Sequence, residues 1–274
     1  MADKILFGGS IPDNYDKYMG PLLFESYAVD IAECIKGKKY TDVLELACGT
    51  GRVTNQLAKV LPESVNLTVT DLNPDMVETA KTKIMSNKKI MWKTADMQSL
   101  PFENSSFDLV VCQFGIMFVP DKERAYSEIY RVLRPGGKFL FNTWDSMINN
   151  MPIQYTTDIL DSYFKDNPVT FFHIPYSYYN KDEISTQLSK AGFEKISFTT
   201  VQKECQSDSA KDAAKGLIQG NPTITAINAR NPDLVNAIED ELSKKLSEKF
   251  GAKPMKCNLQ AIIIEGIKIG GQFL

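Results

Sequence analysis

Two carboxylates and two glycines are spaced as a ligand-holding turn would need them. Glu45-Leu46-Ala47-Cys48-Gly49-Thr50-Gly51 closes an apolar run, Asp71 follows about 20 residues beyond the glycines, and Asp96 comes after it. Glycine at positions 49 and 51 lets the backbone turn tightly and approach a ligand with no Cβ in the way. A helix beginning just beyond adds oriented N–H groups. Asp71, closing the next apolar run, stands where an acid accepts hydrogen bonds from ribose hydroxyls in nucleotide-binding α/β folds. To this point the pattern suits any such fold, an NAD(P)-dependent oxidoreductase included.

Position 54 separates the alternatives. A dinucleotide fingerprint, G-x-G-x-x-G, requires a third glycine there so that the helix packs closely with a pyrophosphate on its N-terminus, and this chain has Thr54. S-adenosylmethionine (SAM) carries no phosphate, so a SAM site has no such need. Glu45, just before the turn, is suited to organise it and to meet the amino-acid end of a ligand.

Residues 43–144 resemble a class I SAM-dependent methyltransferase domain of the kind found in ubiquinone and menaquinone C-methyltransferases. The residues that carry the likeness are Glu45 to Gly51; Val69-Thr70-Asp71-Leu72-Asn73-Pro74-Asp75-Met76; Ala95-Asp96-Met97-Gln98-Ser99-Leu100-Pro101-Phe102; and Arg131-Val132-Leu133-Arg134-Pro135-Gly136-Gly137. The resemblance implies that Glu45, Ala47, Gly49, Gly51, Asp71, Leu72, Met76, Asp96 and Met97 hold the cofactor, with Asp71 on the ribose and Asp96 at the adenine amino group. It further implies that Gln113, Phe114 and Met117 meet the methionine end. Tyr15 or Tyr18, upstream, would reach the SAM carboxylate, or else simply pack an N-terminal helix.

The elements that must position these groups read as strand and helix in alternation. Strands are expected at 42–47, 65–70, 89–95, 107–112 and 138–143. Helices are expected at 22–36, from Val53 to Leu61, from Asn73-Pro74 onward and over 121–134. Short links between such elements mean crossover units and a parallel sheet. Beyond 145 the rhythm changes, with helices near 153–165 and 181–191, a strand at 193–202, a mostly helical stretch at 206–250 and a last strand at 259–267. The expectation is one domain: an α/β, doubly wound, mostly parallel seven-stranded sheet (core 38–145), its last strand antiparallel as the resemblance implies. Insertions at about 145–190 and 204–250 would form a helical lid, and the final strands fall at about 193–202 and 257–267.

Methyl transfer from a sulfonium asks chiefly for alignment and exclusion of water. A base is needed only if the nucleophile must lose a proton. The single histidine, His173, is the candidate base, the alternative being that it bridges the insertion to the body. Aromatic residues around it (Phe171, Phe172, Tyr176, Tyr178, Tyr179) hint at a hydrophobic or planar acceptor. A protein that binds SAM without catalysis is the rival reading.

Bulk properties narrow the partners. The 274 residues carry net charge -3, which offers no basic field for a polyanion, so nucleic acid is not an expected partner. The amino-methylating DNA enzymes' Asn/Asp-Pro-Pro-aromatic motif is absent after the fourth strand, where Cys112-Gln113-Phe114-Gly115-Ile116 stands. Five scattered cysteines show no zinc spacing, so free, mostly buried thiols and no metal are expected. The first fifteen residues lack a basic end followed by an apolar core, and no apolar run is long enough to span a bilayer. The expected compartment is the cytoplasm, and oligomeric state is not readable.

Overall fold

The computed structural model describes residues 11–84 and 88–270. Strands β1 (Asp42–Leu46), β2 (Asn66–Asp71), β3 (Ile90–Thr94), β4 (Phe107–Gln113), β5 (Leu133–Trp144), β6 (Glu194–Ser207) and β7 (Met255–Ile267) form one sheet in the order β3-β2-β1-β4-β5-β7-β6. Neighbours from β3 to β5 pair in parallel, whereas β5 and β7 are antiparallel. The doubly wound α/β sheet with an antiparallel last strand is therefore the fold that forms. The chain runs outward from β1 through β2 to β3, then returns to the other side of β1 with β4. Such a reversal opens a crevice at the carboxyl ends of β1 and β4, where ligands of open α/β sheets bind.

The helices are α1 (Ile11–Asn14), α2 (Glu25–Ile35), α3 (Arg52–Val60), α4 (Pro74–Lys83), α5 (Lys122–Val132), α6 (Met151–Tyr163), α7 (Lys181–Lys190), α8 (Ala210–Gln219), α9 (Thr223–Asn228) and α10 (Val235–Phe250). Local chemistry sets several of their starts. The Asn73 side chain accepts from the Asp75 N–H with Pro74 in the first turn, and Asp121 and Asn180 cap α5 and α7 in the same way.

The chain divides into two compact units. Among the described residues the first, the sheet unit, comprises 28–84, 88–144, 177–201 and 261–270. Its core joins Val43, Leu67, Val69, Leu109, Val111 and Leu140 of the sheet to Ala28, Ile31 and Ile35 of α2 and to Val53 and Leu57 of α3. Each Leu, Ile or Val so buried contributes roughly 1.5–3 kcal/mol. Helix α7 is tied to α5 by buried hydroxyls: Tyr126 Oη and Tyr178 Oη lie 2.8 Å apart, and Tyr178 donates to Gln187 Oε1.

The second unit comprises 11–27, 145–176 and 202–260. Ile238, Leu242 and Leu246 form the buried stripe of α10. A Cβ placed on Gly216 of α8 would lie 2.8 Å from Tyr18 Cβ, so glycine lets α8 meet the 15–24 segment closely. Buried Asn150 donates to the carbonyls of Asp145, Ser146 and Gln260, and accepts from the Gln260 N–H at 3.0 Å.

Several boundaries differ from expectation. The helix read as 22–36 begins at Glu25, because Tyr15–Phe24 is π-helical with Pro21 inside it. Pro135-Gly136-Gly137, read as a turn before the fifth strand, lies inside β5. Gly136, at φ +82°, donates to the Lys268 carbonyl, and the Lys268 N–H returns a bond to Gly137 O, so the expected turn is held as a bulge within the strand, where the register to β4 shifts. β6 and β7 likewise outrun the expected 193–202 and 259–267. Residues 177–190, drawn with the first insertion, belong to the sheet unit. All five cysteines are free; Cys34 is partly exposed and the other four are buried.

Candidate functional site

The glycine turn after β1 is wound left-handed at three of five residues: Ala47 (φ +53°), Gly49 (+54°) and Gly51 (+88°). Glycine takes two of these at no steric cost. The Cys48 N–H donates to Thr70 O and the Gly51 N–H to Cys48 O, at 3.0 Å each, which pins the turn to β2. Gly51 has a second reason to be glycine. A Cβ there would stand 3.1 Å from Ala80 Cβ and 3.2 Å from Ile84 Cδ1, so its absence lets α4 pack beside the turn.

Asp71 ends β2 and reaches across to that turn. Its Oδ2 accepts from the Gly49 N–H and its Oδ1 from the Asn73 N–H, both at 2.9 Å. Burial pushes its pKa up, and the N–H groups of Asn73, Gly49 and Leu72 pull against that. A carboxylate accepts about four hydrogen bonds, so with these N–H groups bound it still has room for a ligand hydroxyl. Leu72, the next residue, is 62% exposed, an apolar surface at the strand's end, while Met76 one turn into α4 is buried.

Glu45 is buried beneath the turn. Burial raises its carboxyl from 4.5 to about 8; Thr54 lowers it in part, and the Asp71 charge raises it further. Its Oε2 is sealed from solvent with no hydrogen-bond partner. Thr54 sits wholly buried in α3, at the position where a dinucleotide helix has glycine.

The third motif forms a tight turn. Asp96 Oδ1 accepts from the Gln98 N–H at 2.8 Å and from Gln98 Nε2 at 3.1 Å, and the Ser99 N–H returns to Asp96 O. Arg131 fastens the rest of that segment, donating to the carbonyls of Leu100 and Phe102, while Glu128 accepts from the Leu100 N–H and pairs with Arg131. The Glu128–Arg131 pair, three apart on α5, was visible in the sequence as a helical ion pair, though not its grip on the motif.

Beyond β4 the chain kinks at Phe114 (φ +51°). Its N–H donates to Asn142 Oδ1 at 2.9 Å, and its ring stacks on Trp144 with centroids 4.0 Å apart. A Cβ on Gly115 would lie 2.5 Å from Ala47 Cβ and 2.8 Å from Cys112 Sγ, with Met97 Cε at 3.7 Å. The turns after β1 and β4 and the Asp96 segment thus meet at Gly115. Met117 is buried in the short 3₁₀ turn that follows. Asn142 and Trp144 were not singled out from sequence. The signal available was an asparagine inside an apolar strand, a residue type strands disfavour.

The remaining expected site residues lie in the second unit. Tyr15 stacks on Phe24 at 4.9 Å, and the Tyr18 ring has the ammonium groups of Lys17 and Lys215 at 5.0 and 5.2 Å from its centroid. His173 is exposed at the end of the Phe171–His173 turn. Among the described residues no group of three or more His, Cys, Asp or Glu could hold a metal ion, and no helix is long and apolar enough to cross a membrane.

Comparison with known proteins adds to this geometry. Residues 44–141 match the methyltransferase domain family. The chain is 28% identical over 189 residues to a ubiquinone/menaquinone biosynthesis C-methyltransferase of Haemophilus ducreyi, covering 64% of this chain and 72% of that one. It is 41% identical over 107 residues to a demethylmenaquinone methyltransferase of Lactobacillus johnsonii, covering 38% and 44%. Apart from the Haemophilus protein, the chain spans about half the length of the first curated relatives it matches. Among solved structures, phosphoethanolamine N-methyltransferase 2 of Haemonchus contortus, in complex with SAM, has the same fold at 17% identity and a TM-score of 0.57, covering 94% of this chain and 57% of that one.

Proposed function

We propose that the chain, whose residues 44–141 match the methyltransferase domain family, binds SAM at the carboxyl ends of β1, β2 and β4 and methylates a small apolar aromatic acceptor of the quinol class. The observation that carries the reading is Asp71, braced by Gly49 and Asn73 with accepting capacity to spare. Electrostatics agree. The Asp71 carboxylate repels a pyrophosphate, and the buried Glu45 carboxyl, protonated in the free protein, loses its proton more readily beside a positive ligand; SAM carries both a sulfonium and an ammonium. In this reading Asp71 holds the ribose and Asp96 the adenine amino group, with Leu72 against the adenine. Gln113, Phe114 and Met117 line the methionine end.

Bound there, SAM supplies a methyl group on sulfur whose transfer leaves a neutral thioether. The residues around it align and shield. The kinked Gln113-Phe114-Gly115 segment fixes the wall behind the reacting carbon. Buried Phe114, Met117 and Trp144 keep water from competing for the methyl group. With SAM and acceptor so aligned, the acceptor atom would take the methyl carbon as its bond to sulfur broke, and the acceptor's proton would pass to solvent. The quinol class is favoured by the relatives' names and by the apolar character of this wall.

Calorimetry with SAM and S-adenosylhomocysteine is the first test, and binding of neither sinks the proposal. A screen for S-adenosylhomocysteine release with demethylated naphthoquinols, phenols, amines and thiols tests the acceptor. Turnover confined to amines or thiols overturns the quinol assignment, and binding without turnover of any acceptor favours a catalytically silent SAM-binding protein.

A further inference from the structure

We propose that Asn142 is the group that recognises an oxygen of the methyl acceptor, donating a hydrogen bond from Nδ2. The proposal rests on the methyltransferase reading and adds a specificity residue that the four sequence motifs do not contain.

The register places the residue. Glu45 pairs with Val69 and with Val111 in the parallel ladders, and Gln113 pairs with Asn142. Partners in register share a face, as do residues two apart on a strand. Glu45, Asp71, Gln113 and Asn142 therefore project from one face of the sheet, at its carboxyl end, in a row from β2 to β5. The ligand crevice opens between β1 and β4, and β5 stands one strand spacing, about 4.8 Å, beyond β4. A donor on β5 is thus placed one strand beyond those that border the crevice.

Its chemistry is asymmetric. Asn142 is wholly buried, and its Oδ1 accepts from the Phe114 N–H. Because a backbone N–H only donates, this bond fixes which end of the amide is oxygen. The other end, Nδ2, is sealed from solvent and has no hydrogen-bond partner. A primary amide left half-satisfied inside an apolar wall is costly, and leucine or threonine would fill the same strand position without that cost. The stacked rings of Phe114 and Trp144, both buried, give the amide an apolar, aromatic setting. One end of the amide holds the Phe114 kink; the other lacks a partner, and a ligand oxygen brought against it by a small shift of its buried surroundings would satisfy it. A quinol hydroxyl or quinolate offers that oxygen next to the carbon to be methylated.

Asn142→Asp separates the two ends, since it keeps the oxygen that clamps Phe114 and replaces the donor. In the wild type, S-adenosylhomocysteine binds and a short-chain demethylnaphthoquinol is turned over. In Asn142→Asp, affinity for S-adenosylhomocysteine stays within about threefold, while KM for the naphthoquinol rises about tenfold or more. That deficit shrinks as pH falls and the introduced carboxyl regains an O–H donor. Equal losses in cofactor affinity and acceptor KM, or an unchanged KM, overturn the proposal. Should the variant not fold, the Asn142 side-chain amide resonance of ¹⁵N-labelled wild type must move when the naphthoquinol joins the S-adenosylhomocysteine complex. A resonance that stays put overturns it too. Wild-type protein that binds neither SAM nor S-adenosylhomocysteine refutes the methyltransferase reading instead.

Discussion

Replacing Glu45 by glutamine tests how the buried acid beneath the glycine turn is balanced. The side chain is 1% exposed, its Oε2 is unpaired, and its carboxyl is raised from 4.5 to about 8, chiefly by burial. At about 1.4 kcal/mol per pH decade that displacement corresponds to roughly 5 kcal/mol between the neutral and charged forms. The folded state keeps a proton that the unfolded chain has released, so unfolding free energy falls as pH rises from about 4.5 to about 8 and is flat on either side. Glutamine has the same shape and no charge to bury. Urea unfolding of Glu45→Gln and wild type at pH 5, 7 and 9 should show near-equal stability at pH 5, with the variant ahead by several kcal/mol at pH 9. Parallel curves across that range would refute the reasoning. The same proton should leave the wild type when a cation-bearing ligand settles at the turn. SAM titrations near pH 7, run in buffers of different ionisation enthalpy, should therefore report proton release that the variant lacks.

Asp71→Ala removes the acceptor for two backbone N–H groups and for the ribose, so SAM affinity should fall by about 1–3 kcal/mol in calorimetry; unchanged affinity counts against the ribose assignment. Gly115→Ala forces a methyl group to 2.5 Å from Ala47 Cβ, and the overpacking should cost about 1–3 kcal/mol in urea unfolding. A negligible loss would mean that the turns after β1 and β4 separate easily. Tyr126→Phe deletes one hydroxyl of the buried pair while Tyr178 keeps Gln187, for a loss of about 1 kcal/mol and 2–4 °C in Tm. A fall several times larger would show the hydroxyl chain to be cooperative beyond its pairs.

Much of the sheet unit could be read from the chain because its signals are local. The apolar runs ending at Leu46, Asp71 and Gln113, the cap at Asn73-Pro74, and glycine at 49 and 51 each declare themselves within a few residues. What escaped was decided at long range. Pro135-Gly136-Gly137 has the composition of a turn and does bulge, with Gly136 at φ +82° and the register to β4 shifting there, yet Lys268 supplies the ladder bonds that keep it within β5. The lengths of β6 and β7 come from pairing with each other and with β5, which no window of ten residues reports. Residues 177–190 look like the rest of the aromatic stretch, and the Tyr126–Tyr178 contact, 52 positions apart, assigns them to the sheet. In the candidate site, the acids and glycines stand out by their spacing, and the turns they build are those the structure shows. Asn142 does not stand out, since its role depends on the kink at Phe114, 28 positions earlier.

The distribution of thiols gives this chain a clock of its own. Four of the five cysteines are buried, and Cys34, the partly exposed one, has its thiol pushed up by burial and by the nearby Glu265 charge. An alkylating reagent at neutral pH therefore finds one slow target in the native fold, because only the thiolate reacts. Every further adduct has to wait for an excursion that uncovers Cys48, Cys112, Cys205 or Cys257. Counting mass increments against time then measures how often the closed structure breathes, and peptide mapping of the second adduct says which of the two units opens first.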